Sequence, residues 1–250
     1  MNPSDKKQLL HNKDYYNRFS KRYDAPRDHG YHWMIDTLQA EILKPLANGA
    51  DVLEVGCGTG LLMDRISPDC RNLDGLDISP GMALRARTRG HRVTVGSAER
   101  LPFEDDTFDL VYSFKVLAHI KSIRRALLEM TRVLKPGGHL VGDFYNPWSI
   151  RGLIKKLKPP TSIADTATDE HVFTRYDAPS RVLSYLPPEL VHLRFHGVRV
   201  LTPFAGILRL PGVGPLLVRA EKAAGASPLW RFGGFLVAVA QKSAIGKRFP

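Results

Sequence analysis

The chain has 250 residues, 43% of them hydrophobic and 24% charged, with a formal net charge of +11 and only two cysteines. These values are typical of a globular protein with a full core and exclude a disulfide scaffold or a disordered tail-like chain. The N-terminus shows no apolar segment of a secretory signal, and the longest apolar stretch, Pro203 to Val218, is broken by Arg209 and by prolines. We therefore expect a cytosolic protein without a transmembrane helix.

The predicted elements begin with helices between about Lys6 and Asn48, where apolar residues recur at helical spacing from Trp33 to Leu46. From Asp51 onward, short apolar strands alternate with helices. The predicted strands cover residues 51–56, 72–79, 91–98, 108–116 and 139–146, and an amphipathic helix fills Lys121 to Leu134. This β-α alternation indicates a parallel sheet with helices on both faces.

The remainder of the chain is less regular. Residues from about Pro147 to Thr174 are of mixed polarity with several prolines, which indicates an insertion or lid. A helix from Pro179 to Leu190, a strand at 192–201, a helix near 214–224 and a last strand at 233–242 are predicted to follow. The apolar and basic stretch near residues 204–225 can cap a hydrophobic ligand, contact a membrane surface peripherally or simply join the core.

The loop after the first strand, EVGCGTG at 54–60, places three glycines at alternate positions. A dinucleotide fingerprint needs a third glycine at position 61, where this chain has Leu61, and no Lys-Ser or Lys-Thr pair follows for a phosphate-binding loop. The loop therefore favours a nucleoside cofactor without phosphates. Asp77 at the end of the second strand can accept both hydroxyls of a ribose, and Ala98 and Glu99 can reach an adenine edge.

Taken in order, these motifs resemble those of the class I S-adenosylmethionine-dependent methyltransferases, in particular the quinone-, polyketide- and other small-molecule subgroup. The resemblance rests on EVGCGTG, Asp77, AERLPF at 98–103, FDLVYS at 108–113 and LKPGGHL at 134–140, and extends over about residues 15–146. It implies a Rossmann-like three-layer α/β sandwich whose seven-stranded sheet is mostly parallel with an antiparallel last strand. The implied divisions are an N-terminal helical lid (1–48), the cofactor-binding core (49–146), an insertion acting as substrate lid (147–180) and the C-terminal part of the same sheet (181–250).

The resemblance also implies S-adenosyl-L-methionine as cofactor and S-adenosyl-L-homocysteine as product. Glu54 and the glycine loop would hold the methionine part, Asp77 the ribose, and Ile78 and Met82 the adenine. Ser97 stands where the family often has an aspartate for the adenine amino group. The full implied cofactor set is Tyr23, Glu54, Gly56, Cys57, Gly58, Gly60, Asp77, Ile78, Met82, Ser97, Ala98, Glu99, Phe114, Lys115 and Val116.

Methyl transfer needs a base only where the acceptor must lose a proton. His119 follows the fourth strand and is the candidate base, and Tyr145 at the end of the fifth strand is a second candidate catalytic residue. No metal site is expected, because His192 and His196 have no acidic or cysteine partner nearby in sequence. We expect O-methylation of a small hydrophobic or aromatic acceptor such as a polyketide, sugar or lipid-like metabolite, by a monomer or homodimer.

Two alternatives remain open at this point. The net positive charge, with basic runs at 85–92, 121–125 and 155–158, raises the possibility of RNA or protein as acceptor. Such runs are more often solvated helix faces, and no nucleic-acid module is recognisable, so no nucleic-acid partner is expected. The other alternative is a non-catalytic module that binds the cofactor.

Overall fold

The computed structural model describes residues 14–18, 20, 23–24, 30–149, 173–202, 206, 208 and 213–244. Its seven strands are β1 (Asp51–Val55), β2 (Asn72–Asp77), β3 (Arg92–Val95), β4 (Phe108–Ser113), β5 (Leu134–Tyr145), β6 (Leu190–Val198) and β7 (Phe235–Lys242). Its helices are α1 (Gly30–Ala47), α2 (Leu61–Ile66), α3 (Pro80–Thr88), α4 (Ile123–Arg132), α5 (Pro179–Leu183) and α6 (Val213–Ala226). Residues 14–18 are also helical.

The strands form one sheet in the order β3-β2-β1-β4-β5-β7-β6. The pairs from β3 through β5 are parallel, whereas β7 pairs antiparallel with both β5 and β6. The predicted fold class, a mostly parallel seven-stranded sheet with an antiparallel last strand, is therefore confirmed. Strand order reverses between β1 and β4, so a crevice opens at their carboxyl ends, where ligands bind in open α/β sheets.

Helices cover both faces of the sheet. On one face α4 buries Ile123, Leu127 and Met130, the apolar stripe that its sequence predicts. On the other face α1 packs with Leu38 and Leu43 among its buried residues. The helix thus forms part of the sandwich layer, while the division of the chain at residue 48 stays a prediction.

Several predicted boundaries are wrong. The helix predicted from Pro179 to Leu190 ends at Leu183, because Pro187 and Pro188 supply no N–H and turn the chain into β6. Strand β6 begins at Leu190 instead of 192, and β5 begins at Leu134, so it includes the LKPGG segment that was expected only to stop the preceding helix. Most of the predicted insertion, residues 150–172, lies outside the described residues, as does most of the apolar stretch at 203–212.

Among the described residues, no helix is long and apolar enough to cross a membrane. In the same part of the chain, no group of three or more histidine, cysteine, aspartate or glutamate side chains is arranged to hold a metal ion.

Candidate active site

A cavity opens at the carboxyl ends of β1, β2 and β4. Its empty space, counted to where it opens to solvent, is about 950 Å³. A smaller pocket adjoins it beneath the glycine loop and shares Tyr23, Gly56, Gly58, Phe114 and Lys115 with it. We call them the main cavity and the side pocket. Every cofactor residue expected from the sequence lines one or both, apart from Gly60.

Gly56 shows why the loop needs glycine. Its φ is +80°, and a Cβ at this position would overlap Cγ2 of Val116 and lie 3.0 Å from its Cγ1. The glycine loop therefore touches the turn that follows β4. Both segments line the main cavity, and a side chain at position 56 would collide with Val116.

Gly60 lies outside both cavities. Its φ is +86°, and an added Cβ would lie 2.8 Å from the ring of His91 and 3.2 Å from Cβ of Ala86. The third glycine therefore allows α2 to begin close to α3. Its expected place in the cofactor set stays a prediction.

Asp77 is the central acid of the main cavity. One of its carboxylate oxygens accepts the N–H of Gly58 at 2.8 Å, and the other accepts the N–H of Ser79 at 2.8 Å. Ser79 in turn caps α3 by accepting the N–H of Met82. Burial raises the pKa of Asp77, although the N–H donors of Ser79 and Gly58 oppose that rise. The carboxylate thus ties together the glycine loop and the start of α3.

The side pocket is lined by buried groups of both charges. Lys115 Nζ lies 2.5 Å from Asp36 Oδ1, and the Lys115 backbone N–H donates to Asp143 at 2.7 Å. Gln39 Nε2 donates to the other oxygen of Asp143, while Gln39 Oε1 is buried without a hydrogen-bond partner among the described residues. Glu54 completes the lining and accepts the hydroxyl of the buried Tyr112 at 2.8 Å. A ligand group that carries both a positive and a negative charge fits these surroundings.

Burial raises the pKa of two of these carboxyl groups into the region of neutral pH. Burial raises the pKa of Glu54 to about 8, with the Tyr112 hydroxyl opposing the rise. Burial raises the pKa of Asp143 to about 7, with the Lys115 N–H opposing it. Both groups therefore respond to a cation placed in the side pocket, because a nearby positive charge favours their ionised forms.

His119 lies in the short 3-10 turn Leu117–His119 and lines the main cavity. Its Nδ1 is 3.0 Å from the carbonyl oxygen of Phe173, and its Nε2 is 3.4 Å from the hydroxyl of Tyr145. Since a carbonyl only accepts, the Phe173 contact favours a proton on Nδ1, and the Thr174 hydroxyl also lies 3.2 Å from that nitrogen. In the neutral ring Nε2 is then an acceptor. Burial raises the pKa of Tyr145, which keeps the phenol protonated as a donor towards it.

Described residues of the N-terminal segment line the main cavity and contact its borders. Tyr16 and Tyr23 line it, and Asn17 accepts the N–H of Gly81 at 2.8 Å. Asp24 accepts the Thr59 hydroxyl at 2.6 Å and forms an ion pair with Arg89 at 3.1 Å. The short helix at 14–18 and the turn at Asp24 are thus attached to the glycine loop and to α3.

Sequence reasoning missed several lining residues. Asp36 and Gln39 stand three apart on the buried face of α1 and line the side pocket. Two polar side chains on an otherwise apolar helix face were a signal that could have found them. Thr59 in the side pocket and Lys121 at the main cavity gave no comparable signal. Tyr145, expected on the acceptor side, is not among the residues that line the main cavity, and its hydroxyl lies 3.4 Å from Nε2 of His119.

Comparison with known proteins places these features among methyltransferases. Residues 53–142 match the family model described as a methyltransferase domain. A demethylmenaquinone methyltransferase from Symbiobacterium thermophilum is 31% identical over 156 residues, covering 56% of this chain and 60% of that protein. The chain spans between about a third and three fifths of the length of the curated relatives that it matches first.

Solved structures agree over nearly the whole chain. The N-methyltransferase NodS from Bradyrhizobium japonicum, solved with S-adenosyl-L-homocysteine, has a TM-score of 0.61 at 17% identity, covering 93% of this chain and 98% of that one. The [4+2]-cyclase SpnF has a TM-score of 0.67 at 21% identity, covering 95% and 98%. At these identities the likeness shows a shared fold, not a shared substrate.

Proposed function

We propose that this chain, whose residues 53–142 form a class I S-adenosylmethionine-dependent methyltransferase domain, transfers a methyl group to a hydroxyl of a small hydrophobic or aromatic acceptor. The observation that carries the choice of a hydroxyl is the orientation of His119. Its Nδ1 is bonded to a carbonyl, which leaves Nε2 as a proton acceptor beside the same cavity that holds the cofactor residues.

The two cavities fit the two halves of the cofactor. The main cavity offers Asp77 for ribose hydroxyls, an apolar wall from Ile78 and Met82, and Ser97 for the polar edge of a base. The side pocket offers Lys115 for a carboxylate and the carbonyl oxygen of Gln39 for an ammonium group. The lack of space beside Gly56 fits a ligand that lies directly against the backbone of the loop.

The bound cofactor would supply an activated methyl group on a sulfonium, so the chain's main contribution is alignment and proton removal. A phenolic or alcoholic acceptor must lose its proton as its oxygen attacks. His119 Nε2 would take that proton, while the Phe173 carbonyl stabilises the ring in the required tautomer. The Tyr145 hydroxyl lies 3.4 Å from Nε2, and an acceptor hydroxyl would replace or share that contact.

The nature of the acceptor follows from the walls around His119. Phe114, Val116 and Ile120 give the cavity an apolar lining, and Tyr16 and Tyr23 add aromatic surface from the N-terminal segment. Such a lining favours a flat apolar molecule over a sugar. We propose that the segment at 147–180 acts as the substrate lid, since one of its described residues, Phe173, contacts His119.

The proposal is tested by incubating the protein with S-adenosylmethionine carrying a labelled methyl group and a fractionated small-molecule extract, followed by identification of the labelled product. A labelled O-methyl ether supports it, whereas labelling on nitrogen or carbon refutes the assigned role of His119. His119→Gln should lower kcat by about 10²–10⁴-fold while leaving the affinity for S-adenosyl-L-homocysteine unchanged. His91→Gln is a matched control, because His91 contacts Asp64 outside the main cavity.

A macromolecular acceptor is the second candidate, and the net charge of +11 is the observation that favours it. Several arginines of the basic run at 85–92 are neutralised by acids, since Arg89 contacts Asp24 and Asp64, and Arg92 contacts Asp74. Salt-sensitive retention of bulk RNA, together with label in RNA, would support this candidate over a small molecule. Binding of S-adenosyl-L-homocysteine with no labelled product from any extract would instead support a non-catalytic module.

A further inference from the structure

Arg175 holds the turn that carries His119. After the stretch at 150–172, the chain returns to the site at Phe173, and the Arg175 backbone N–H donates to the carbonyl oxygen of Ala118 at 2.9 Å. The guanidinium donates to the carbonyl oxygens of Leu117 at 3.0 Å and Ile120 at 3.1 Å. Arg175 therefore donates to the carbonyl oxygens of Leu117, Ala118 and Ile120, which lie on both sides of His119.

The guanidinium is itself anchored by a buried acid. Arg175 Nε lies 2.7 Å from Oδ2 of Asp177, which is 1% exposed and also accepts the hydroxyl of Tyr185 at 2.9 Å. The backbone N–H of Asp177 donates to the carbonyl oxygen of Tyr145 at 2.9 Å. Asp177 is thus fixed to the end of β5, so the guanidinium spans the two elements that carry His119 and Tyr145.

The arrangement fits the chemistry that His119 needs. Phe173, whose carbonyl accepts from His119 Nδ1, lies two residues before Arg175 on the same extended stretch. Holding Arg175 against the 117–120 turn therefore also holds the Phe173 carbonyl against the ring. A lysine could not replace this fork, because one ammonium group cannot reach two carbonyl oxygens and a carboxylate in the same plane.

We propose that Arg175 is a positioning residue: its guanidinium fixes the His119 turn against the 173–177 stretch, so that the imidazole keeps its proton on Nδ1 and presents Nε2 to the acceptor. The catalytic consequence rests on the proposed function, but the state of the ring can be measured without an acceptor. Arg175 lines neither cavity, so it acts on the reaction through the 117–120 turn that carries His119.

The test uses full-length protein with ¹⁵N-labelled histidine at a pH where the ring is neutral. The nitrogen chemical shifts of His119, assigned by comparison with His119→Gln, report which ring nitrogen carries the proton. The variants are Arg175→Lys, which keeps the charge for Asp177, and Arg175→Met, which removes it. Arg181→Met is the matched control, because Arg181 contacts the same Tyr185 hydroxyl at 2.8 Å and Asp177 at 3.8 Å, with no contact to the 117–120 carbonyls among the described residues.

The wild-type ring and Arg181→Met should show the proton on Nδ1, and both Arg175 variants should shift the tautomer ratio by about fivefold or more towards Nε2–H, the worth of one net hydrogen bond. If Arg175→Met does not fold, Arg175→Lys decides the question. A wild-type ratio in folded Arg175→Lys overturns the proposal, as does an equal change in Arg181→Met or a wild-type ring protonated on Nε2.

Binding of S-adenosyl-L-homocysteine should be unchanged in all three variants. Once an acceptor is known, Arg175→Lys should lower kcat about 10- to 100-fold with the KM for S-adenosylmethionine within about twofold. If no acceptor is ever methylated, the proposed function fails, and the tautomer measurement still tells whether Arg175 positions the ring. The two failures are therefore separate.

Discussion

Replacing Gly56 with alanine tests why position 56 must be glycine. The two possible reasons are the contact with Val116 in the cavity wall and the left-handed backbone conformation. The residue has a φ of +80°, and a methyl group there would overlap Val116. Gly90 has a φ of +94° and nothing within 4 Å of an added Cβ. Gly90→Ala therefore introduces the backbone strain without the overlap, and the difference between the two variants isolates the contact with Val116.

The expected magnitudes follow from these two geometries. A left-handed alanine costs about 1–2 kcal/mol, so Gly90→Ala should lower the free energy of unfolding by that amount. Gly56→Ala adds an overpacking cost of about 1–3 kcal/mol, because the branched side chain of Val116 cannot swing away as the end of a long side chain can. Gly56→Ala combined with Val116→Ala should recover this second part only, which appears as a coupling energy in a double-mutant cycle.

The assays are urea unfolding for stability and calorimetry with S-adenosyl-L-homocysteine for binding. Gly56→Ala should weaken binding by at least about tenfold, since about 1.4 kcal/mol or more of misfit falls on the cavity wall, whereas Gly90→Ala should bind as the wild type does. If Gly56→Ala and Gly90→Ala lose equal stability and both bind normally, the loop does not need the space at Gly56. The contact argued for the cofactor would then be wrong.

Three further predictions concern the charged groups of the site. Asp77→Ala should raise the Kd for S-adenosyl-L-homocysteine about 100-fold, the loss of two charge-assisted hydrogen bonds of about 1.5 kcal/mol each, whereas Asp74→Ala, on the exposed side of the same strand, should leave it unchanged in calorimetry. Because burial raises the pKa of Glu54 from 4.5 to about 8, its contribution to stability is complete below pH 4.5 and is lost as the pH rises towards 8. The free energy of unfolding should fall by up to about 1.4 kcal/mol per pH unit over that window, and urea unfolding of Glu54→Gln should show a flatter profile. Asp24→Asn keeps a partner for Thr59 but loses the ion pair with Arg89. Its Kd for S-adenosyl-L-homocysteine should rise about two- to fivefold at low salt, and the difference from wild type should vanish in titrations at high salt.

The sheet and most of the residues that line the two cavities were predictable because their signals are local. A short apolar run that ends in glycines, or in an acid such as Asp77, can be recognised from a few residues as a strand of a parallel sheet. The β-α alternation then places those ends at one edge. Ser79 and Pro80, the cap and first residue of α3, carry an equally local signal, although the second strand was predicted to extend through Ser79.

Other features depend on contacts between distant segments and could not be predicted in this way. The bond between Arg175 and the Leu117 carbonyl joins residues 58 apart, and that between Gln39 and Asp143 joins residues 104 apart. The packing of Gly60 against His91 and Ala86 also joins distant parts of the chain, and its expected place in the cofactor set stays a prediction. Helix α5 was predicted to extend to Leu190, past the two prolines that follow its actual end at Leu183.

Asp77 links the expected affinity for the cofactor to the position of the glycine loop and of the start of α3. Its two oxygens already accept the N–H groups of Gly58 and Ser79, so ribose hydroxyls would share a carboxylate that is also holding the loop and the α3 cap. A carboxylate has enough lone pairs to serve both. Removing it would therefore release two backbone donors as well as the ligand, and the losses at Gly56 and Asp77 should not add. Substitutions at both positions should weaken binding by less than the sum of their separate free energies, because each disturbs the same loop.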